Sequence, residues 1–117
     1  MLMAPERFSE ESRSLVAASA NDLYLSAASA WEIAIKCGLG KLTLPGRPAE
    51  LIPELMSKTE ISALPVLHSH ALRVADLPMH HRDPFDRLLV AQAQLEDLPI
   101  LTADPQLEPY EVEILRA

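Results

Sequence analysis

Apolar residues recur along the chain at two spacings, and these predict helices and strands in alternation. Short, largely apolar runs predict strands at residues 23–25, 62–67, 99–102 and 112–115, and the run at 99–102 is typical of a buried strand. Apolar positions three or four apart predict helices at residues 9–20, 26–37, 68–76 and 83–96. A further helix is expected from Pro48, although Pro53 predicts either a kink in it or a later start. Strands separated by helices favour a parallel α/β sheet in a single domain, residues 1–117.

Residues with capping chemistry mark the starts and ends of these helices. Ser9, Ser26 and Asp83 are predicted N-caps, and Asp83 is followed by proline at the first helical position. Gly38 and Gly40 are predicted to end the second helix. These residues are therefore explained by local structure alone.

Three carboxylates lie after predicted strands or in the first turns of the helices: Glu32, Asp86 and Asp104. Ligands of parallel sheets bind outside the carboxyl ends of the strands, so these three are expected to converge on one cleft. Each also has a structural interpretation. Glu32 can pair with Lys36 one helical turn later, and Asp86 and Asp104 can stabilise helix starts. The apolar residues around Glu32 favour a bound cation, because a carboxylate in such surroundings needs a partner.

Oxygen ligands of this kind favour Mg²⁺ or Mn²⁺ over zinc. His80 and His81 are adjacent, and no cysteine or histidine lies at zinc-ligand spacing, so no zinc site is expected. The chain has only three glycines and no phosphate-binding loop, which argues against a dinucleotide site. Ser26 and Ser29 lack the glycines of a nucleophile elbow. Metal-assisted chemistry on a phosphodiester is the interpretation that remains.

Composition changes this picture little. The hydrophobic fraction of 49% suffices for a buried core, and aromatic residues make up only 4%. A net charge of −7 by itself argues against binding to nucleic acid, because phosphate contacts need lysine and arginine. A cluster of carboxylates that binds a metal ion, however, also makes a nuclease acidic. The same charge suits a basic protein partner. No secretory signal or membrane-spanning run is recognised, and Cys37 is the single cysteine. A cytoplasmic location with no membrane partner is expected.

Four blocks of residues carry a resemblance to a known family. They are residues 26–36, 38–42, 77–93 and 101–105, and the third contains the run His-Arg-Asp-Pro-Phe-Asp-Arg at 81–87. In order and spacing the blocks resemble the VapC-type PIN-domain toxins, over nearly the whole chain. The resemblance implies a PIN-like α/β fold, with a mostly parallel sheet flanked by helices.

The resemblance also implies a function. It implies a Mg²⁺- or Mn²⁺-dependent endoribonuclease toxin of a type II toxin–antitoxin system, which forms a homodimer or higher oligomer and binds a cognate VapB-type antitoxin. Glu32, Asp86 and Asp104 match three of the acidic residues of the family, as catalytic residues and metal ligands, and Thr102 is a possible supporting residue. Asp83 is then a helix cap.

One part of the family pattern is missing. The family opens with an apolar strand that ends in an aspartate, whereas no aspartate precedes Asp22 here. We therefore expect the first strand and the first acidic residue to be absent, as in an N-terminally truncated PIN-like domain. A late start of the sequence, a deliberate truncation and a degenerate copy are three open explanations.

Three hypotheses follow for the activity. The first is an active ribonuclease toxin, and the second is a catalytically impaired PIN-like module that still binds antitoxin. The third is a fragment without independent function. For the RNA substrate, Lys36, Arg82 and Arg87 are candidate phosphate contacts, although such residues are more often solvated surface charges.

Overall fold

The computed structural model describes residues 1–14, 22–102 and 104–115. Its strands are β1 (Leu2–Met3), β2 (Leu23–Ser26), β3 (Ile61–Leu64), β4 (Ile100–Leu101) and β5 (Ile114–Leu115). Its helices are α1 (Pro5–Ser14), α2 (Ala27–Gly38), α3 (Pro48–Thr59), α4 (His68–Arg73) and α5 (Pro84–Glu96), with 3₁₀ turns at Val74–Asp76 and Pro105–Leu107. No described helix is both long and apolar enough to cross a bilayer.

The five strands form one sheet in the order β3-β2-β1-β4-β5, and every neighbouring pair is parallel. This confirms the predicted α/β fold with a parallel sheet flanked by helices. The chain builds outwards from β1 through β2 to β3, and then crosses to the other side of β1 to add β4 and β5. The direction of winding therefore reverses between β1 and β4, and the carboxyl edge of the sheet opens into a crevice at such a point.

The expectation that the first strand is absent is wrong, because Leu2–Met3 forms a short strand in the centre of the sheet. The Leu2 N–H donates to the carbonyl of Pro99 at 2.8 Å, and the Tyr24 N–H donates to the carbonyl of Met1 at 2.9 Å. Both side chains of β1 are buried. Two residues suffice because both edges of the segment are paired and both of its faces are covered.

The two residues of β1 join the two halves of the core. Leu2 packs on one face of the sheet, in a buried cluster with residues of α5, β4 and the second 3₁₀ turn: Leu89, Val90, Ala93, Ile100 and Leu107. Met3 packs on the other face, in a cluster with residues of α1, α2, α3, β2 and β3: Phe8, Leu25, Ile33, Leu55 and Ile61. The short strand is thus held by apolar burial on both sides.

The first helix begins earlier than predicted. We expected it to start at an N-cap at Ser9, but α1 begins at Pro5, and the Ser9 hydroxyl donates to the Pro5 carbonyl at 3.0 Å inside the helix. Proline favours the first helical position, because its missing N–H would have no partner there. The predicted continuation to residue 20 runs into residues 15–21, which lie outside the described part of the chain.

The other elements lie close to their predicted positions. Ser26 caps α2 by accepting the Ala28 N–H at 3.0 Å, and Asp83 caps α5. Helix α3 begins at Pro48 rather than later, and includes Pro53. The strand predicted at 62–67 ends at residue 64, before Pro65, and the strands predicted at 99–102 and 112–115 shorten to two residues each. The helix predicted at 68–76 divides into α4 and the first 3₁₀ turn.

Candidate metal centre

An open cleft of about 420 Å³ lies at the carboxyl edge of the sheet, where the winding direction reverses. Its lining residues come from α1, α2, α5, the turn before α5 and the turn after β4: Glu6, Glu32, Lys36, His81, Asp83, Asp86, Asp104 and Gln106. The structure therefore brings the three predicted carboxylates together from positions up to 72 residues apart in sequence, from 32 to 104. The cleft contains five carboxylates and one lysine, so its electrostatic balance favours a cation.

Glu32 lies in the second turn of α2, whose first residue directly follows β2. The side chain is 9% exposed, and one carboxylate oxygen lies 3.3 Å from the Lys36 ammonium. The structural interpretation of Glu32 is therefore confirmed, and its functional interpretation stays a prediction. The ion pair expected from helical spacing is present, and the same carboxylate lines the cleft.

Asp83 and Asp86 both lie at the start of α5, but their carboxylates have different hydrogen-bond partners. Asp83 Oδ1 accepts the Phe85 N–H at 2.8 Å and the Asp86 N–H at 3.3 Å, as an N-cap does. Asp86 is in the first turn, and its Oδ2 lies 2.7 Å from His81 Nε2. The cap thus fixes the helix start, and the imidazole orients the carboxylate.

Burial is the main reason why the pKa of Asp86 is raised from 3.8 to about 6. The negative charges of Asp83 and Glu32 raise this pKa further, while the hydrogen bond and charge of His81 lower it. A carboxylate in this position is costly to ionise in the absence of a cation. Bound positive charge would relieve that cost, because it favours the ionised form.

Asp104 is held at the cleft by a chain of hydrogen bonds. Its Oδ1 accepts the Gln106 N–H at 2.9 Å, which caps the second 3₁₀ turn. Its own N–H donates to the Thr102 hydroxyl at 3.1 Å. The same hydroxyl donates to Glu6 Oε1 at 2.6 Å. Thr102 is 1% exposed, and its buried hydroxyl therefore links the loop after β4 to the first turn of α1 by two hydrogen bonds.

The donor set of the cleft fits a divalent cation. One ligand atom each from His81, Asp83 and Asp86 lie within 4.8 Å of one another, and Glu32 and Asp104 line the same cavity. These donors are carboxylate oxygens with one imidazole nitrogen, and no cysteine lines the cleft. Hard, oxygen-rich sites of this kind suit Mg²⁺ or Mn²⁺.

Sequence reasoning missed two of the titratable residues that line the cleft. His81 was set aside because two adjacent histidines rarely face one site, and indeed His80 packs edge-on against Tyr110, with ring centroids 5.1 Å apart. Only His81 reaches Asp86. Glu6 was missed because its position after a strand becomes visible only once Leu2–Met3 is recognised as β1.

The three candidate RNA contacts differ in their placement. Arg87 is buried, and its guanidinium donates to the carbonyls of Pro78 at 3.0 Å and Val74 at 3.1 Å. This corrects the expectation for Arg87, because a buried guanidinium that holds backbone carbonyls cannot reach a phosphate. Arg82 is exposed, and Lys36 lines the cleft.

A second groove of about 260 Å³ adjoins the cleft and shares Glu6, Glu32 and Lys36 with it. Lys41 and Leu42, from the loop after α2, line its far side. The two lysines therefore place positive charge beside an otherwise acidic site. Such charge can contact the backbone of a nucleic acid without reading its sequence.

An apolar stripe runs along α2 on its exposed surface. We call Trp31 and Ile35 of α2, together with Leu39 at its C-cap, the α2 stripe, because a spacing of four residues places side chains on the same side of a helix. Trp31 is 63% exposed, and its ring meets Phe85 edge-on with centroids 5.2 Å apart. Phe85, the ring that Trp31 contacts, lies in sequence between the cleft residues Asp83 and Asp86.

Comparisons with known proteins agree with this architecture. Residues 1–112 match the family model described as PIN domain. Over 60 residues, the chain is 47% identical to ribonuclease VapC16 of Mycobacterium tuberculosis, an alignment that spans 51% of this chain and 43% of that protein. A solved structure described as FitAB bound to an IR36 DNA fragment matches 98% of this chain and 93% of its own, with a TM-score of 0.65 and 20% identity. At that identity the structural match concerns the fold alone.

Proposed function

Since this chain belongs to the PIN-domain family and resembles its VapC type, we propose that it is a Mg²⁺- or Mn²⁺-dependent endoribonuclease toxin of a type II toxin–antitoxin system. It acts on RNA in the cytoplasm. The alignment with the VapC ribonuclease spans less than half of that protein, so the activity rests on the site itself. The observation that carries the proposal is the convergence of Glu32, Asp86 and Asp104 on one cleft at the reversal point of the sheet.

Glu32, Asp86 and Asp104 would hold the cation. A bound divalent ion supplies Lewis acidity, which activates water and stabilises the charge that develops when a phosphodiester is cleaved. The chain's own residues prepare the site for it. Asp83 fixes the start of α5, His81 orients the Asp86 carboxylate through its 2.7 Å contact, and Thr102 holds the loop of Asp104.

The substrate strand is proposed to run from the cleft into the adjoining groove. Lys36 and Lys41 line that groove and offer two phosphate contacts. Positive charge beside the carboxylates offsets the repulsion between RNA and a chain of net charge −7. Arg82 is exposed and stays a candidate contact, whereas Arg87 is excluded by its burial.

The test is RNA cleavage by the purified 117-residue chain with Mg²⁺ or Mn²⁺. We expect cleavage to stop when EDTA removes the metal, and to fall by a factor of about 100 or more in Asp86→Asn, because the variant removes a ligand charge. Asp97→Asn is a matched control, since Asp97 is an exposed aspartate at the other end of α5 with a φ of 53°, which asparagine also tolerates. Cleavage that persists in EDTA or in Asp86→Asn would refute the proposed mechanism.

The second candidate function is an antitoxin-binding module with impaired catalysis. No aspartate ends the first strand, and this observation favours it. The two candidates differ under single-turnover conditions with enzyme in excess. Metal-dependent cleavage supports the nuclease, whereas tight antitoxin binding without cleavage supports the binding module.

A VapB-type antitoxin is the proposed protein partner, and a homodimer or higher oligomer is the proposed assembly. The acidic cleft suits a basic residue of the antitoxin, and the α2 stripe beside it suits apolar residues of the same segment. A partner that uses both surfaces would occupy the site and silence it.

A further inference from the structure

The segment that carries His81 has no regular structure of its own. Residues 77–83 join the first 3₁₀ turn to α5, and none of them lies in a helix or strand. We call this segment the 77–83 loop. Its backbone carbonyls lack the regular partners of a helix or sheet, so those that are buried need other donors. The place of the His81 imidazole therefore depends on the groups that hold this loop.

The buried guanidinium of Arg87 supplies several of these donors. Its Nη1 donates to the carbonyls of Pro78 at 3.0 Å and His81 at 3.4 Å. Its Nη2 donates to the carbonyls of Val74 at 3.1 Å and Leu77 at 3.4 Å. Among the described residues no carboxylate pairs with it. Burying a cation is costly, so the stability of the fold alone is a weak reason for this arrangement.

A second buried group, the Tyr110 hydroxyl, holds the same loop. It accepts a hydrogen bond from Arg87 Nη1 at 3.3 Å and donates to the His81 carbonyl at 3.4 Å. The Tyr110 ring also packs edge-on against His80, with centroids 5.1 Å apart. Two donors, one from α5 and one from the segment after the second 3₁₀ turn, thus converge on the carbonyl of a single loop residue.

The side chain of that loop residue contacts the cleft. His81 Nε2 lies 2.7 Å from Asp86 Oδ2, and Asp86 directly precedes Arg87 on α5. The contacts therefore close a ring, which runs from the carboxylate through the imidazole and the His81 backbone to the guanidinium and back to α5. A closed ring of this kind restricts the imidazole and the carboxylate to one relative position.

We propose that Arg87 and Tyr110 are positioning residues of the metal site, which act through the backbone of His81 to hold its imidazole against Asp86. The inference rests on the proposed function, and it goes further by assigning a role to two buried side chains outside the cleft. A carboxylate that is held in place before the cation arrives loses less freedom on binding, so it binds the cation more tightly.

The test measures Mn²⁺ affinity by calorimetry and unfolding temperature in EDTA for the full chain and its variants. Arg87→Lys keeps the charge but loses the planar group that reaches several carbonyls. Tyr110→Phe removes only a hydroxyl and keeps the packed ring, so it is the variant that tests the inference if Arg87→Lys does not fold. Tyr24→Phe is the matched control, since Tyr24 lies on β2 and outside the cleft.

Both changes are repeated in His81→Ala, which removes the imidazole but keeps the carbonyl that Arg87 and Tyr110 contact. A purely structural role is therefore the same in the two backgrounds, whereas a positioning role requires the imidazole. We expect Tyr110→Phe to weaken Mn²⁺ binding by about two- to tenfold, the range for losing one hydrogen bond. In His81→Ala it should have no further effect on Mn²⁺ affinity, although it lowers the unfolding temperature equally in both backgrounds.

A second measurement follows the imidazole without metal. The ¹⁵N resonances of the ring nitrogens are recorded in EDTA at pH 7.5, and the His81 signals are identified by their loss in His81→Ala. Asp86→Asn gives the resonances of a ring that has lost its carboxylate partner. Tyr110→Phe should move the His81 signals towards those values, because the ring is held less firmly, and Tyr24→Phe should leave them unchanged.

Three outcomes would overturn the inference. Equal weakening of Mn²⁺ binding by Tyr110→Phe in both backgrounds would show that it does not act through His81. Unchanged Mn²⁺ affinity and unchanged His81 resonances in Tyr110→Phe would show that Tyr110 only stabilises the fold. If the wild type neither binds Mn²⁺ nor cleaves RNA, the proposed function fails and the role in a metal site fails with it. The His81 resonances, which need no metal, distinguish this last failure from the other two.

Discussion

At the scale of one residue, Asp86 shows how the proposed metal binding and the stability of the fold oppose each other. The carboxylate is largely buried, lies near Asp83 and Glu32, and has a pKa raised to about 6. Its pKa in the unfolded chain is close to the ordinary value of 3.8, so the folded state holds the proton more tightly. Ionising Asp86 therefore destabilises the metal-free fold, and the cation of the proposed site would offset this cost.

The first prediction concerns this cost and its pH dependence. Below pH 3.8 both states are protonated, and between pH 3.8 and about 6 the unfolded chain has released a proton that the folded chain keeps. The contribution of Asp86 to the free energy of unfolding thus falls as pH rises through this window, and the loss is complete above it. Asp86→Asn should therefore be more stable than the wild type at pH 7.5 in EDTA, by about 1–2 kcal/mol after allowance for solvent screening.

Urea denaturation at pH 4 and pH 7.5 measures this effect, with Asp97→Asn as the control. The difference between Asp86→Asn and wild type should shrink towards pH 4, where Asp86 is largely protonated in the folded state. A variant that is equally or less stable than the wild type at pH 7.5 would contradict the prediction. Added Mn²⁺ should reverse the order, because only the wild type keeps its full ligand set.

Among the secondary-structure elements, β1 is only two residues long and yet is the central strand of the sheet. A two-residue strand contributes few backbone hydrogen bonds, so its place depends on side-chain burial. Leu2 and Met3 supply that burial on opposite faces of the sheet. The segment also determines the start of α1, because Pro5 follows it after a single residue.

The second prediction tests this element. Leu2→Ala should lower the free energy of unfolding by about 2–5 kcal/mol, the range for truncating a buried leucine. Leu72→Ala is the control, because Leu72 is 73% exposed, and it should change stability by less than about 0.5 kcal/mol. Urea denaturation measures both variants. Equal effects of the two truncations would show that β1 is not part of the packed core.

The whole molecule combines two surfaces that a partner can use at once. The cleft carries an excess of negative charge, and the α2 stripe next to it exposes Trp31 and Leu39 to solvent. Isolated exposed apolar residues are common on protein surfaces, but a stripe beside a charged cleft is typical of a protein-binding surface. The proposed antitoxin would thus be recognised by charge and apolar contact together.

The third prediction follows for the complex with a VapB-type antitoxin. Leu39→Glu should weaken antitoxin binding by more than about tenfold, because it places a charge in an apolar contact. Leu72→Glu makes the same change at an exposed leucine of α4, outside the stripe, and should bind normally. Calorimetric titration measures both affinities, and circular dichroism checks that both variants fold. Equal affinities would remove the α2 stripe from the interface.

Local signals in the sequence were sufficient for much of the fold. Ser26 and Asp83 cap their helices as predicted, because capping involves atoms only two or three residues apart. The parallel sheet followed from the alternation of helices and strands. The positions of Glu32, Asp86 and Asp104 after strands or at helix starts likewise predicted that they share a cleft, and the structure places them in one.

Contacts between distant residues were decided only by the tertiary structure. The bond from Thr102 to Glu6 spans 96 positions, and β1 is a strand only because β2 and β4 pair with it. The sequence favours a surface charge at Arg87, whereas in the structure its guanidinium binds backbone carbonyls of the turns before α5. The sequence by itself determined which elements form and which acids lie at their ends, since these depend on short-range chemistry. The tertiary structure decided which side chains meet, because packing and pairing join segments that no local pattern connects.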